Sequence, residues 1–200
     1  MLSLRIEEYI REDGSSPFGN WFDGLSREAA YKVVTARARM EHGNLAAVKW
    51  IGKIGEYRID WGPGLRIYLA RDGKELVILF GGGTKKRQQA DIREAETLLA
   101  EYKIVERIRR DPRFAKGVLT EAATVFLGGE PEVARLMLRD IVNGTLGFEE
   151  LSALTGIPPK SLHRMLSSRG NPAMDNLAAI FEAITGHLKV EVEARAKKAA

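Results

Sequence analysis

Four short β-like runs lie between Val48 and Phe80, and only tight turns separate them. The runs are Val48–Ile51, Tyr57–Trp61, Leu65–Ala70 and Leu76–Phe80. Gly62-Pro63-Gly64 and Asp72-Gly73 stand between the later ones, where a chain reversal needs glycine's positive φ. Connections this short cannot carry a crossover, so the runs predict an antiparallel meander. An earlier alternation, Leu2, Leu4 and Ile6, predicts one more strand.

Elsewhere the apolar period is helical. Ser16 and Pro17 predict a capped start, with Phe18, Trp21, Phe22 and Leu25 on one face. Ser26 caps a second helix whose stripe is Ala30, Val33, Val34 and Met40, ended by Gly43. From Gln88 to Arg110 there is no Gly, Pro or Ser, while Ile92, Ala95, Leu98, Leu99, Tyr102, Val105 and Ile108 recur at helical spacing. A helical junction is therefore expected in place of a linker, with a bend near Tyr102–Ile104 left open. Further helices are expected over 112–127, 131–142, 147–155, 159–167 and 173–185. The starts Asp111-Pro112, Glu130-Pro131 and Asn171-Pro172 mark three of them. Leu188–Val192 reads as a short strand, and Glu193–Ala200 as a frayed tail.

These patterns predict an α+β domain over 1–103 followed by an all-α domain over 104–200. The chain has 44% hydrophobic and 29% charged residues, an ordinary balance for a soluble globular protein. It has no cysteine, which excludes disulfides and thiolate chemistry, and its three histidines (His42, His163, His187) are scattered. No metal and no cofactor are expected. Neither a signal-peptide layout nor an 18-residue apolar run is seen, so a cytoplasmic protein without membrane attachment is expected. The net charge of +4 is compatible with nucleic acid without demanding it. Residues 1–103 hold 17 basic and 15 acidic side chains, and 104–200 hold 14 and 12, so neither half is the acidic complement of the other.

Two segments carry chemistry. Gly81-Gly82-Gly83-Thr84 followed by Lys85-Lys86-Arg87 reads as a basic glycine turn before a helix, where backbone amides near Gln88 would face a phosphate. If Lys53, Arg58, Arg66 and Lys85 converge, they form a cationic groove on the sheet. Cleavage of RNA by its own 2′-hydroxyl needs proton transfer and stabilisation of a dianionic centre, and arginine and lysine suit the second task. The plain alternative is a set of solvated surface charges. Downstream, Leu151, Leu154, Ile157, Leu162 and Met165 have the spacing of two crossing helices, with Gly156 at the turn. Lys160, Ser161, His163 and Arg164 would then lie on the end of the second helix that meets DNA. The alternative here is an ordinary helical hairpin.

The order strand, two helices, meander, helix resembles the RelE/ParE toxin superfamily. Its HigB-like, phage-derived addiction-module-killer branch is the nearest in wording. Gly55-Glu-Tyr-Arg58, Gly62-Pro-Gly-Leu-Arg66-Ile-Tyr68, Val77–Gly82, Lys85, Gln88 and Asp91-Ile92 carry the likeness. The resemblance implies ribosome-associated mRNA cleavage, or gyrase poisoning in a sister branch. It places Arg58, Arg66 and Lys85 at the substrate with Gln88 beside them. Lys86 and Arg87 stand where smaller polar residues are commoner in the family, and with Lys53 they are expected as RNA contacts from their charge. The second half resembles Cro/CI-like HigA antitoxins, carried by Asp111-Pro112, Gly144–Leu151, Lys160–Leu166 and Arg169–Pro172. That likeness implies a homodimer on operator DNA, with Arg169 joining the DNA contacts. The expectation is a fused toxin–antitoxin protein. Its rival is a DNA-binding regulator whose first domain has lost catalysis. A convergent Arg58/Arg66/Lys85 groove favours the enzyme, and charges tied up by Glu or Asp favour the rival.

Overall fold

The structure is a computed structural model that describes residues 4–11 and 13–193. It is α+β, a five-stranded sheet in the N-terminal half followed by helices. The chain divides into two compact units, Met1–Tyr102 and Lys103–Ala200.

In the first unit, strand β1 (Arg5–Glu8) precedes helices α1 (Pro17–Asp23) and α2 (Arg27–Glu41). Ser16 Oγ accepts from the Gly19 amide and Ser26 Oγ from the Ala29 amide, so both expected caps form. Strands β2 (Val48–Ile51), β3 (Ile54–Ile59), β4 (Leu65–Asp72) and β5 (Leu76–Thr84) follow in antiparallel succession. The sheet order is β1-β5-β4-β3-β2, and β1 lies parallel to β5. The sheet is thus mixed: the meander is antiparallel as expected, but the first strand is not. Within that strand Leu4 and Ile6 are buried, while Leu2 lies outside the described residues.

Both faces of the sheet are covered, and β4 shows it most directly. Leu65, Ile67 and Leu69 pack with Phe18, Val33, Ala36 and Met40 from α1 and α2. Tyr68 and Ala70, with Ile78 and Phe80 of β5, pack under Ile92, Ala95, Leu98 and Leu99 of helix α3 (Gln88–Arg110). The α2 stripe keeps Val33 and Met40 but differs at the other two positions: Ala30 is half-buried and Val34 exposed, and Ala29 and Ala36 fill the core.

Helix α3 is continuous from Gln88 to Arg110, across the breaker-free segment. The second unit contains α4 (Pro112–Leu127), α5 (Pro131–Gly144), α6 (Gly147–Thr155), α7 (Pro159–Met165) and α8 (Met174–Leu188). Asp111 caps α4 by accepting from the Arg113 and Phe114 amides. Its core joins Leu119, Leu138, Ile141, Leu151, Leu162 and Ile180 among others. Helix α8 begins two residues beyond Asn171-Pro172, with Ala173 at the cap. The expected strand at Leu188–Val192 is absent. Leu188 ends α8, Lys189 takes a left-handed conformation (φ 52°), and 190–193 pair with no strand. The expected tail at 194–200 lies outside the described residues.

Candidate functional site

Pleating places Glu56 and Arg58 of β3 on the sheet face turned to α3, together with Arg66 and Tyr68 of β4. Arg58 is the register partner of Arg66, and Glu56 that of Tyr68. Glu56 is fully buried, and its two carboxylate oxygens are divided between the arginines. Oε1 accepts from Arg66 Nε at 2.9 Å and Oε2 from Arg58 Nε at 2.7 Å. Arg66 Nη1 also donates to the Gly64 carbonyl at 2.7 Å. Arg66 was expected on the sheet surface, but it is buried because α3 covers this face of the central strand. Arg58, nearer the open side, keeps 43% of its side chain exposed.

The glycine segment is not a turn. Gly81, Gly82 and Gly83 are the last part of β5, which runs to Thr84 and pairs with β4 throughout. The ladder shifts register at Tyr68/Leu69, leaving Phe80 as the extra residue of a bulge. Two of the glycines are required by close approach. A Cβ on Gly82 would collide with the Trp21 ring, and one on Gly83 with Asp91 Oδ2. The reversal into α3 is made by a short 3₁₀ turn, Lys85–Arg87, whose three side chains are exposed. The Gln88 amide bonds to the Lys85 carbonyl and is therefore not an open phosphate donor as expected.

Arg58 and Arg66 are thus brought together, with Lys85 following two residues after Gly83, the ladder partner of Arg66. Lys53 is not part of this group. It sits in the β2–β3 turn, five residues and roughly 16 Å along the strand from Arg58. Arg87 Nε lies 3.9 Å from Asp91 Oδ1. Three groups that sequence reasoning left out of the site complete it: Glu56, Tyr68 and Asp91. Tyr68 Oη and Asp91 Oδ2 are both buried without a hydrogen-bond partner. Burial raises the Asp91 carboxyl above the usual carboxylate range, helped by Glu94 and opposed by Arg87. The Tyr68 phenol is raised as well, by burial and by the charges of Asp91 and Glu56, against Arg66.

In the second unit α6 and α7 form a helical hairpin, and Gly156 takes positive φ (70°) where the sequence demanded it. Leu151 and Leu162 are buried between the helices, but Leu154 is 58% exposed and Leu166 takes the core place expected for Met165. Pro158 precedes α7 and supplies no side-chain cap. Lys160, Arg164 and Arg169 are exposed, while Ser161 and His163 are half-buried. The His163 ring stacks on Phe148 of α6 at 3.7 Å, so His163 is committed to packing rather than extended towards solvent.

Among the described residues, no group of His, Asp and Glu could hold a metal ion, and no helix is long and apolar enough to cross a membrane. No protein-family model matches the chain. A protein of Haemophilus influenzae (strain ATCC 51907 / DSM 11121 / KW20 / Rd), described as "Uncharacterized protein", is 38% identical over 86 residues. That stretch is 42% of this chain and 87% of the relative. This chain belongs to that protein's family. The relative's description carries no activity, so the family relationship leaves the chemistry to be read from the site itself.

Proposed function

We propose that the chain is a fused type II toxin–antitoxin protein. Its first unit is a RelE/HigB-like ribonuclease acting on mRNA at the ribosome without metal or cofactor. Its second unit limits that activity and binds operator DNA as part of a homodimer. The observation that carries the reading is the row of charges across the sheet. Arg58 and Arg66 are ladder partners locked through Nε by one buried carboxylate, and Lys85 follows two residues after Gly83, the ladder partner of Arg66. Binding through Nε leaves the Nη donors of Arg58, and Nη2 of Arg66 beside the Nη1 given to Gly64, for a phosphate, and locking them in advance avoids reorganisation when charge develops. The strand–helix–helix–meander–helix order supports the RelE-like assignment. The α6–Gly156–α7 hairpin with exposed Lys160 and Arg164 supports operator binding.

A second reading draws on the same carboxylate. Glu56 ties up both arginines, the arrangement expected of the rival, and so favours a DNA-binding regulator whose first unit no longer cleaves. Expression of residues 1–103 against the whole chain separates the two. The ribonuclease reading expects growth arrest from 1–103, relieved in the whole chain, where linkage supplies an effective concentration in roughly the mM range. Lys85→Ala should remove the arrest without unfolding, because Lys85 is exposed. Equal growth from both lengths at equal soluble expression favours the regulator.

A further inference from the structure

The histidines of the chain are remote from the Arg58–Arg66 pair in sequence and element: His42 ends α2, and the other two belong to the second unit. RNA cleavage nevertheless requires a group that accepts the 2′-hydroxyl proton. Asp91 stands where such a group is needed. Gly83 is the ladder partner of Arg66, and Asp91 Oδ2 fills the space that a side chain at 83 would occupy. Side chains paired this way across an antiparallel ladder lie about 4.5–5.5 Å apart at Cβ. The carboxyl group of Asp91 therefore takes the place of a neighbour to Arg66 in the row Arg58–Arg66–Gly83. Arg66 does not claim it, since its guanidinium is turned to Glu56 and Gly64. Oδ2 is left without a partner, and Oδ1 lies towards exposed Arg87 at 3.9 Å. Asp91 is thus ion-paired through Oδ1 only, while Oδ2 stays buried without a partner in the space that Gly83 leaves open beside Arg66's ladder position.

We infer that Asp91 is the proton acceptor of the first unit, taking the proton of an RNA 2′-hydroxyl as that oxygen attacks the adjacent phosphorus beside Arg58 and Arg66. The inference rests on the ribonuclease reading above. In the step, the 2′-oxygen–phosphorus bond forms and the bond from phosphorus to the 5′-oxygen breaks. The 2′-hydroxyl proton passes to Asp91, and the departing 5′-oxygen takes a proton from solvent water. The products are a 2′,3′-cyclic phosphate and a 5′-hydroxyl, with no oxidant or metal required. A carboxylate must be ionised to act so. The groups around it are Arg87 in the 3₁₀ turn, Glu94 on its own helix and Tyr68 on β4, and the sum of burial and these charges raises its proton affinity. A raised value brings an aspartate nearer the range in which a base works at neutral pH.

The test uses the full-length chain and a DNA oligonucleotide with a single ribonucleotide, cleaved in single turnover at large enzyme excess. The all-deoxy oligonucleotide serves as the binding probe by fluorescence anisotropy. Asp91→Asn should bind the all-deoxy probe at least as well as the native chain and cleave on the order of 10²–10⁴-fold more slowly. The native rate should fall as pH drops through the Asp91 titration, and that acid limb should vanish from the residual rate of D91N. Should D91N not accumulate, Asp91→Ser carries the same expectations. Cleavage by the variant within threefold of native, or an unchanged acid limb, overturns the role of Asp91 alone. Loss of probe binding by D91N as severe as that of Arg58→Ala would make Asp91 a positioning residue and also overturn it. Absence of cleavage by the native chain both of this oligonucleotide and of mRNA on programmed ribosomes, at the same large enzyme excess, overturns the ribonuclease reading together with this inference.

Discussion

Glu56 divides one carboxylate between two guanidiniums, and the two halves of that arrangement differ in worth. The Arg66 side chain is 11% exposed, so its bond to Glu56 is made out of water; Arg58, at 43%, is screened. Replacing Glu56 by Ala would leave Arg66 buried and uncompensated. A loss of about 3–5 kcal/mol in urea unfolding is expected, of which the Arg58 contact contributes little. A variant within about 1 kcal/mol of native would show that Arg66 swings out to solvent at little cost. Asp91 is the opposite case. Burial raises its folded value above the ordinary 3.8, so the folded chain holds this proton more tightly than the unfolded chain does. Below 3.8 the group is protonated in both states and costs nothing. As pH rises from 3.8 to the raised value its contribution to stability declines, and above that it stays at its lower level. Unfolding free energies of native and D91N chains should therefore diverge in the variant's favour across that window, and parallel curves would contradict it.

At the scale of elements, β5 shows what a sequence pattern leaves undecided. Three successive glycines before a basic run fit a phosphate turn as well as a strand that must be thin. What selects the strand is the Trp21 ring on one side, brought there by a helix distant in sequence, and Asp91 on the other, from the helix that follows the strand. Gly82→Ala should cost about 1–3 kcal/mol through overpacking against Trp21. Gly81→Ala, where a Cβ meets nothing within 4 Å, should stay within about 0.5 kcal/mol, both read from urea midpoints. Equal penalties at 81 and 82 would point to chain entropy instead of contact. The α6–α7 hairpin was more legible, because Gly156 is demanded by local backbone geometry alone. Its apolar contacts were read less well: Leu154 shares the helical period of the core yet is exposed.

Across the whole molecule the charges are spread evenly, with an excess of about two positive charges in each half, so the nucleic-acid binding proposed above would have to come from local patches. For the proposed operator binding the patch is the exposed side of α7, with Lys160 in its first turn and Arg164 in its last. Lys160→Ala should weaken binding of duplex DNA for all sequences alike and lower the slope of log affinity against log salt by about one. Arg164→Ala should cost about 1–3 kcal/mol if its guanidinium reads a base edge, and on cognate DNA only. Native protein without salt-dependent affinity for duplex DNA would remove the operator from the proposal.

The α+β order, the meander, the serine and aspartate caps and the unbroken Gln88–Arg110 helix were determined by the sequence itself. Period, breakers and caps act over a few residues, where local backbone physics decides. The same locality explains the misses at the site. Alternation predicts that Arg66 shares a face with Tyr68, but says nothing of which face is covered. Strand pairing sets Glu56 beside Arg66, and the packing of α3 on that face of the sheet sets Asp91 over Gly83. Glu56 and Arg66 are ten residues apart, and Gly83 reaches Arg66 through strand pairing. Likewise β1 joins the sheet parallel to β5, a pairing across some seventy residues that no short-range pattern encodes. The burial of a charge depends on which elements close over it, and that is settled only when the chain has folded.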